Sequence, residues 1–405
     1  MLNTSKASLG FIFATILIDC TGFGIIIPVI PKLVEKLSGA DISEASTIGG
    51  LLMFLYAIMQ FICSPVLGGL SDRYGRRPIL LISLLGLGLD YFLLAFAPNI
   101  SWLIIGRIIA GICGASFTTA GAYIADVSPP DKRSQNFGLI GAAFGIGFIL
   151  GPLIGALFSK IDVRAPFMAA GVLSLLNFLY GLFFVPESLS KENRRKFDIK
   201  RANPLGTFVN LKRYPEIILL VLGLLILLIA GKTIETIWGY YTIKKFDWSE
   251  AEIGYSLAFV GVLISIVQGG LIRWAIPKFG QVKSIFIGLI FYTIGLIVFS
   301  FANSSWILYV ALVPYCLGGL TGPSLQGIIS NRVPANEQGE IQGVFTALMS
   351  IAAIISPLIM TNLFYFFSNN QAPIYFPGAS FLLSSILCII AGFILFVGLR
   401  RKSAN

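Results

Sequence analysis

The chain has 405 residues, of which 56% are hydrophobic and only 12% are charged. Soluble domains usually carry about 25% charged residues, so this composition excludes an ordinary soluble protein and predicts many membrane crossings. The net charge of +10 would be compatible with nucleic-acid binding. However, the basic residues lie in short segments between apolar runs, where Lys and Arg orient helices in a bilayer. We therefore expect contact with lipid and no nucleic-acid partner.

The residue types that metal sites and enzymes most often use are scarce. The chain has no histidine, and its five cysteines all lie in apolar runs, which predicts buried free thiols rather than disulfides. The GxxxxGK[ST] pattern that holds nucleotide phosphates is absent from the sequence. We expect no metal, no cofactor and no enzymatic activity.

Twelve apolar runs predict an all-α membrane protein, because a backbone inside lipid must satisfy its hydrogen bonds within each segment. The predicted spans are 9–30, 48–70, 78–97, 101–125, 136–158, 166–186, 216–243, 251–273, 283–302, 305–330, 340–364 and 377–399. The first span contains Asp19 and lacks a clear cleavage site, which favours a retained helix over a signal peptide.

Charges inside spans are costly, so each is a functional candidate. Five are present: Asp19, Asp90, Arg107, Lys232 and Glu235. Asp90 and Arg107 flank a short turn at similar depth, which allows a structural ion pair or a role in proton coupling. Lys232 and Glu235, one turn apart, could neutralise each other, and Glu235 is also a candidate for proton coupling. Burial and neighbouring charges can tune a carboxyl group such as that of Asp19 to exchange protons.

The loop 68–78 places several charges and glycines between the second and third spans. Its candidate gating residues are Gly68, Asp72, Arg73, Gly75, Arg76 and Arg77. Most of the 29 Lys and Arg residues fall on the same predicted side of the membrane as this loop. Because basic loops stay in the cytoplasm, we expect both termini there.

A small-residue pattern in the fifth span comprises Gly147, Gly151, Pro152 and Gly155. Glycines at a spacing of four residues allow helix backbones to approach closely, and a proline removes an amide donor and can kink the helix. Helix packing alone would explain this pattern.

The chain divides at the polar segment 187–215, and residues recur at a constant interval on its two sides: Gly75 with Gly280, Pro129 with Pro334, and Pro152 with Pro357. We therefore expect two pseudo-symmetric six-helix bundles, 1–186 and 216–405, joined by a cytoplasmic linker.

The repeat also places Lys232 opposite Asp19. We hypothesise that both face one cavity, where protonation of Asp19 releases Lys232 or an anionic substrate binds it. Further residues expected to contact substrate are Gln60, Arg107, Glu235, Trp238, Tyr241, Gln268 and Gln326.

Three motifs resemble those of one transporter family. The GxLxDRxGRR wording of the 68–78 loop resembles the cytoplasmic signature loop of the major facilitator superfamily, and GxxxGPxxG at 147–155 resembles the motif of its antiporter branch. LIIGRIIAG at 103–111 resembles a motif whose arginine is tied to proton coupling. Segments 89–99 and 323–327 are similar to tetracycline efflux proteins.

The resemblance implies a monomeric proton antiporter of the bacterial inner membrane that exports a small amphipathic drug-like compound by alternating access. It also implies that Asp72 and its arginines form a charge lock on the inner face. The best-known members have a histidine in the eighth span and an acid in the ninth, where this chain has Leu263-Ile264-Ser265 and Phe291-Tyr292-Thr293. The second half therefore departs from their proton chemistry.

Two alternatives stay open. Lys232 in a cavity favours transport of an organic anion or a siderophore-like metabolite. A membrane receptor or scaffold that transports nothing is the other alternative, and the intact 68–78 loop argues against it, because a scaffold has no need of a gating loop.

Overall fold

The structure is a computed structural model that describes residues 2–114, 116–129, 133–195, 197, 213–334 and 337–400. The described residues form helices joined by short turns, with no strand among them. Of the predicted linker 187–215, position 196 and residues 198–212 lie outside the described residues.

Among the described residues, seven α-helices come from the first half of the chain. They are α1 (Leu2–Ser38), α2 (Ile42–Tyr74), α3 (Arg76–Ala95), α4 (Ile100–Cys113), α5 (Ser116–Val127), α6 (Arg133–Ser159) and α7 (Ala165–Phe184). A short 3-10 turn, Lys191–Asn193, follows them.

The described part of the second half also contributes seven α-helices. They are α8 (Pro215–Phe246), α9 (Glu250–Ile266), α10 (Ile272–Phe301), α11 (Ser305–Leu317), α12 (Thr321–Ser330), α13 (Gln338–Ser368) and α14 (Ala379–Arg400). A π-helical turn, Val267–Leu271, joins α9 to α10, and a 3-10 turn, Gly318–Leu320, joins α11 to α12.

Within the described residues, 11 helical segments are long and apolar enough to cross a membrane. The longest, Glu250–Phe301, has 52 residues, which at about 1.5 Å per residue is more than twice the roughly 30 Å thickness of a hydrocarbon core. Gly280 interrupts it with a non-helical backbone, φ 77° and ψ 162°. This segment therefore holds two of the predicted spans, and the predicted all-α membrane fold is confirmed.

The interval that relates the two halves is visible in the backbone. Gly75, between α2 and α3, has φ 108°, and its counterpart Gly280 has φ 77°. A positive φ strains residues that carry a Cβ, so glycine is required at both turns. Pro152 and Pro357, another related pair, lie inside α6 and α13.

Two compact units divide the described chain. The first comprises residues 1–40, 55–204 and 249–258, and the second comprises 41–54, 205–248 and 259–405. The units therefore differ from the sequence halves, because the first part of α2 belongs to the second unit and the first part of α9 to the first. The three-part division at 187–215 stays a prediction.

Two segments belong to the unit formed mainly by the opposite half of the sequence: residues 41–54 and residues 249–258. Both of these exchanged segments pack closely within their units. In the second unit, Lys244 donates to the Asp41 carboxylate at 3.1 Å, and a side chain at Gly49 would overlap the Tyr240 hydroxyl. In the first unit, a Cβ added at Gly254 would lie 2.5 Å from the Pro152 carbonyl oxygen. Glycine at position 254 permits the close approach of helix backbones, and glycine at position 49 leaves space for the Tyr240 hydroxyl.

Three glycines of α6 face α1 within the first unit. A Cβ at Gly147 would lie 2.5 Å from the Cys20 Cβ, and a Cβ at Gly151 would lie 2.5 Å from the Thr21 carbonyl oxygen. Gly155 similarly faces the Ile25 carbonyl oxygen at 3.0 Å. The four-residue glycine spacing thus produces a backbone-to-backbone contact with no room for side chains.

We expect Gly151→Ala to destabilise the protein by about 1–3 kcal/mol, because the added methyl group overpacks the α1–α6 contact. Gly141 lies on the same helix and has no atom within 4 Å of an added Cβ. Gly141→Ala is therefore the matched control, and its better helix propensity predicts unchanged or increased stability. Thermal unfolding of the two detergent-solubilised variants measures the difference, and equal melting temperatures would contradict the packing argument.

The residue before α8 is tied to the residue before α13. The Tyr214 hydroxyl donates to the Glu337 carboxylate, and this hydrogen bond raises the pKa of Tyr214 to about 12. Donation to a carboxylate stabilises the neutral phenol, which accounts for the upward direction. The stabilisation is therefore complete below the ordinary tyrosine pKa of about 10 and is lost as the pH rises through 12.

Titration of ¹³Cζ-labelled tyrosine by NMR, with the signal assigned through Tyr214→Phe, measures this value. We expect Glu337→Ala to lower the Tyr214 pKa toward about 10. Glu340→Ala, which removes a more distant charge on the same face, should change it less. A Tyr214 pKa that does not respond to Glu337→Ala would show that the hydrogen bond does not form in solution.

Candidate functional site

The first unit contains a buried ion pair within its membrane segments. Arg107 Nη2 of α4 donates to Asp90 Oδ2 of α3 at 3.2 Å. The Asp90 side chain is fully buried, and the Arg107 side chain is only 8% exposed. Asp90 Oδ1 and Arg107 Nε are buried without a hydrogen-bond partner. The pair is therefore incompletely satisfied, a condition that makes a buried ion pair costly.

Asp19 of α1 belongs to the same unit and stands near the same tyrosines as Arg107. Both charges act electrostatically on the hydroxyls of Tyr56 and Tyr91. Gln60 orients one of these tyrosines, because its amide lies 3.3 Å from the Tyr56 hydroxyl. The Gln60 amide also donates to the Gly114 carbonyl oxygen at 3.0 Å. The fold thus gathers the predicted residues Asp19, Gln60, Asp90 and Arg107 around two aromatic hydroxyls.

A second ion pair lies on α8 in the second unit. Lys232 Nζ donates to Glu235 Oε2 at 2.6 Å, so these residues do neutralise each other in this structure. Tyr292 of α10 and Tyr315 of α11 pack with ring centroids 4.9 Å apart and lie within electrostatic reach of Glu235. The hypothesis that Lys232 acts together with Asp19 stays a prediction.

The loop at residues 68–78 is organised around Arg76. Its guanidinium donates to Asp72 at 2.5 Å, to Asp126 at 3.2 Å and to the Ser71 hydroxyl at 2.7 Å. Asp126, near the end of α5, is a member of this network that the sequence patterns did not reveal. Its only sequence signal is an acid close to the end of an apolar run.

Glu187 is the second member that sequence reasoning missed. Its carboxylate accepts hydrogen bonds from the backbone amides of Arg76 at 2.8 Å, Arg77 at 3.2 Å and Leu189 at 3.0 Å. The first two are the first amides of α3, which lack partners inside the helix, so Glu187 caps this helix from a distant part of the sequence. A side chain at Gly75 would overlap the Glu187 carboxylate.

The remaining residues of the loop have simpler surroundings. The Arg77 guanidinium donates to the Leu182 carbonyl oxygen at 2.6 Å, and Arg73 lies over the ring of Tyr74 at 4.9 Å. Gly68 has open space around it. The charges of the loop thus have partners inside the first unit, chiefly on α5 and on the segment that follows α7.

Comparison with known proteins shows the family of this chain. The Major Facilitator Superfamily model matches residues 12–357 and, in a second match, 237–405. The chain belongs to the Major Facilitator Superfamily. Its similarity to a tetracycline resistance protein, class C, of Escherichia coli is 38% identity over 89% of this chain and 90% of that protein.

Other members of the superfamily resemble the chain at greater distance. The quinolone resistance protein NorA of Staphylococcus aureus is 30% identical over 87% of this chain and 88% of its own length. The crystal structure of a bacterial homologue of the human lysosomal transporter Spinster has a TM-score of 0.81 at 15% identity, covering 98% of this chain and 97% of that one. That structure supports the major facilitator fold.

Two residues expected to contact substrate lie within the core of the second unit. The Trp238 ring is fully buried and packs edge-on against Phe299 and Phe381. The Tyr241 side chain is also fully buried, and its hydroxyl donates to the Phe299 carbonyl oxygen at 2.5 Å. Their roles in substrate binding stay predictions. Sequence alone does not distinguish aromatic residues that fill a core from those that line a cavity.

Gln268 and Gln326, the two other glutamines expected to contact substrate, lie outside the Asp90–Arg107 and Lys232–Glu235 pairs. Gln268 is exposed and lies in the π-helical turn Val267–Leu271, a backbone irregularity often found at functional sites. Gln326 is partly buried on α12. Their roles in substrate binding stay predictions. In the part of the chain that the structure describes, no group of three metal-ligating side chains lies together.

We expect Glu187→Ala to destabilise this major facilitator chain by about 1–3 kcal/mol, because it leaves backbone amides at the start of α3 without an acceptor. Glu192, five residues further on, is fully exposed in a 3-10 turn, so Glu192→Ala is the matched control. Thermal unfolding should show a lower melting temperature for Glu187→Ala alone. Equal melting temperatures would mean that water replaces the carboxylate without cost.

Proposed function

We propose that this chain is a proton-coupled secondary transporter that exports small amphipathic drug-like compounds. Membership of the superfamily supports transport, and the names of the relatives, tetracycline and quinolone resistance proteins, support drugs as substrates. The observation that carries the proton coupling is the buried Asp90–Arg107 pair with unsatisfied atoms on both partners. The proposal places the monomeric protein in the bacterial inner membrane with both termini in the cytoplasm.

Protonation of Asp90 would remove the charge that balances Arg107. A buried charge left without its partner costs about 3–5 kcal/mol, comparable to the roughly 5.5 kcal/mol that moves a two-state equilibrium from 1:99 to 99:1. Arg107 would then be stabilised by pairing with another carboxylate. Asp19 is the candidate, because it acts electrostatically on the same two tyrosines as Arg107. Proton binding at Asp90 would thus strengthen the attraction between Arg107 and Asp19 and bias the conformation of the first unit.

Asp19 would supply the exchange between proton and substrate. A carboxylate in an apolar span stabilises one positive charge, whether a proton, the Arg107 guanidinium or the cationic group of a substrate. Because these partners compete, arrival of a proton would favour release of the substrate. This competition is the property that an antiporter requires, and it makes Asp19 and Asp90 the residues to test.

The Arg76 network would serve the conformational equilibrium rather than the substrate. Arg76 joins two helix ends through Asp72 and Asp126, and Glu187 extends the network to the segment after α7. In alternating access the inner ends of the helices must hold two arrangements. We propose that this network stabilises one of them, as the family resemblance implies.

The test is transport of tetracycline and of a quinolone into proteoliposomes with an acidic lumen. We expect a pH gradient to drive uptake by the wild type, and Asp19→Asn and Asp90→Asn to lower the gradient-driven rate at least tenfold. Asp162→Asn is the matched control, since Asp162 is an exposed loop residue that accepts a hydrogen bond from the Arg164 amide.

Asp90→Asn leaves the Arg107 charge buried and can destabilise the fold. The double variant Asp90→Asn/Arg107→Met removes both charges, which is often close to neutral for stability. We expect it to fold and still to lack gradient-driven transport. Full coupling in this double variant would exclude the pair from the proton pathway, and no pH response of the wild type with either drug would exclude proton antiport of these drugs.

A second candidate function is transport of an organic anion or a siderophore-like metabolite by Lys232. The partly exposed side chain of Lys232 favours it, because an ammonium group in a membrane span attracts anions. The same proteoliposomes, supplied with a monocarboxylate of similar size, separate the two functions. Anion uptake that Lys232→Met abolishes and Lys278→Met leaves intact would select the second candidate.

A further inference from the structure

The Lys232–Glu235 pair differs from the Asp90–Arg107 pair in its accessibility. The Lys232 and Glu235 side chains are 30% and 23% exposed, whereas those of Arg107 and Asp90 are 8% and 0% exposed. A ligand can therefore reach both members of the α8 pair without unpacking helices. This difference indicates a substrate class, and the inference drawn from it rests on the proposed transport function.

Among the described residues, the groups placed near the pair in the second unit are hydroxyls and a thiol. Tyr292 and Tyr315 lie within electrostatic reach of Glu235, and Cys388 of α14 stands beside the two tyrosines. No titratable residue occurs in α12 or in residues 341–364 of α13, the other helices that pack against α8. The charge balance at this position is therefore set by Lys232 and Glu235 alone among these groups.

A ligand with a single charge fits this balance poorly. A monoanion that binds Lys232 must draw it away from Glu235, which leaves a carboxylate without its partner in an apolar span. A monocation on Glu235 leaves Lys232 in the same condition. Because a charge left unpaired in an apolar span weakens binding more than one new contact strengthens it, we expect neither ligand to bind tightly.

A ligand that carries both charges avoids this penalty. Its acidic group can pair with Lys232 while its ammonium group pairs with Glu235, so both side chains exchange one partner for another. The two head groups are 2.6 Å apart on one helical turn, which requires ligand charges that are also close together. We propose that Lys232 and Glu235 form a receptor for compact amphipathic zwitterions, with the acidic and ammonium groups on the same or neighbouring carbons.

A matched series on one aromatic scaffold tests the proposal. The probes are naphthylalanine (zwitterion), its N-acetyl derivative (anion) and its amide (cation), with binding to the purified full-length protein measured at pH 7 by calorimetry. We expect the wild type to bind naphthylalanine at least tenfold more tightly than either derivative.

Single substitutions should reverse the preference in opposite directions. Lys232→Met leaves Glu235 and should select the amide, Glu235→Gln leaves Lys232 and should select the N-acetyl derivative, and the double variant should bind all three alike. The matched control is Lys32→Met/Glu35→Gln, which removes a pair of the same spacing on α1, 3.1 Å apart, and should keep the preference for the zwitterion.

Each result is decisive for one proposal. Equal binding of the three probes by the wild type, no measurable binding of naphthylalanine at millimolar concentration, or an unchanged preference in both single variants would overturn the zwitterion receptor. Gradient-driven tetracycline uptake in the same preparation tests the transport function separately. Loss of uptake with intact zwitterion preference overturns transport alone, and intact uptake without the preference overturns the receptor alone.

Discussion

The cost of placing charge inside an apolar helix is the constraint on which the rest of this structure depends. A charge in the bilayer core costs at least about 2.5–3.5 kcal/mol, so a chain with 12% charged residues retains such charges only in pairs or at water-facing positions. Asp90 and Arg107 meet this constraint by pairing across two helices, and Lys232 and Glu235 meet it on one turn of α8. The stability of the helices that carry each pair therefore depends on the charges of its two members and on any ligand bound to them.

The membrane fold could be predicted from the sequence because its determinants are local. Apolar runs of sufficient length define the spans, and the glycines of α6 indicate a close helix contact that the structure places against α1. The repeat predicted corresponding turns in the two halves, and Gly75 and Gly280 share a positive φ. The exchanged parts of α2 and α9 escaped prediction, because packing between distant helices leaves no periodic signal in either helix.

The candidate site was predictable in its charges but not in its partners. An ionisable residue in an apolar run is visible in the sequence, whereas Glu187 and Asp126 lie at span ends, where acids are common. Only the fold shows that both converge on the loop of Arg76. The burial of Trp238 was not predictable for a related reason, since it depends on rings from α10 and α14 that the sequence does not place beside it.

The two ion pairs differ in the exposure of their side chains, and this difference suits them to different ligands. Asp90 is fully buried beside Arg107, so a proton, which needs no space, is the only ligand that can reach it without rearrangement. The Lys232 and Glu235 side chains are paired but partly exposed. A larger ligand can therefore take the place of Glu235 beside Lys232 and of Lys232 beside Glu235. In the function that we propose, a proton on the first pair would change the conformation of one unit, whereas a substrate that separates the second pair would be recognised by its charges. Burial alone would then give two pairs of equal net charge different functions.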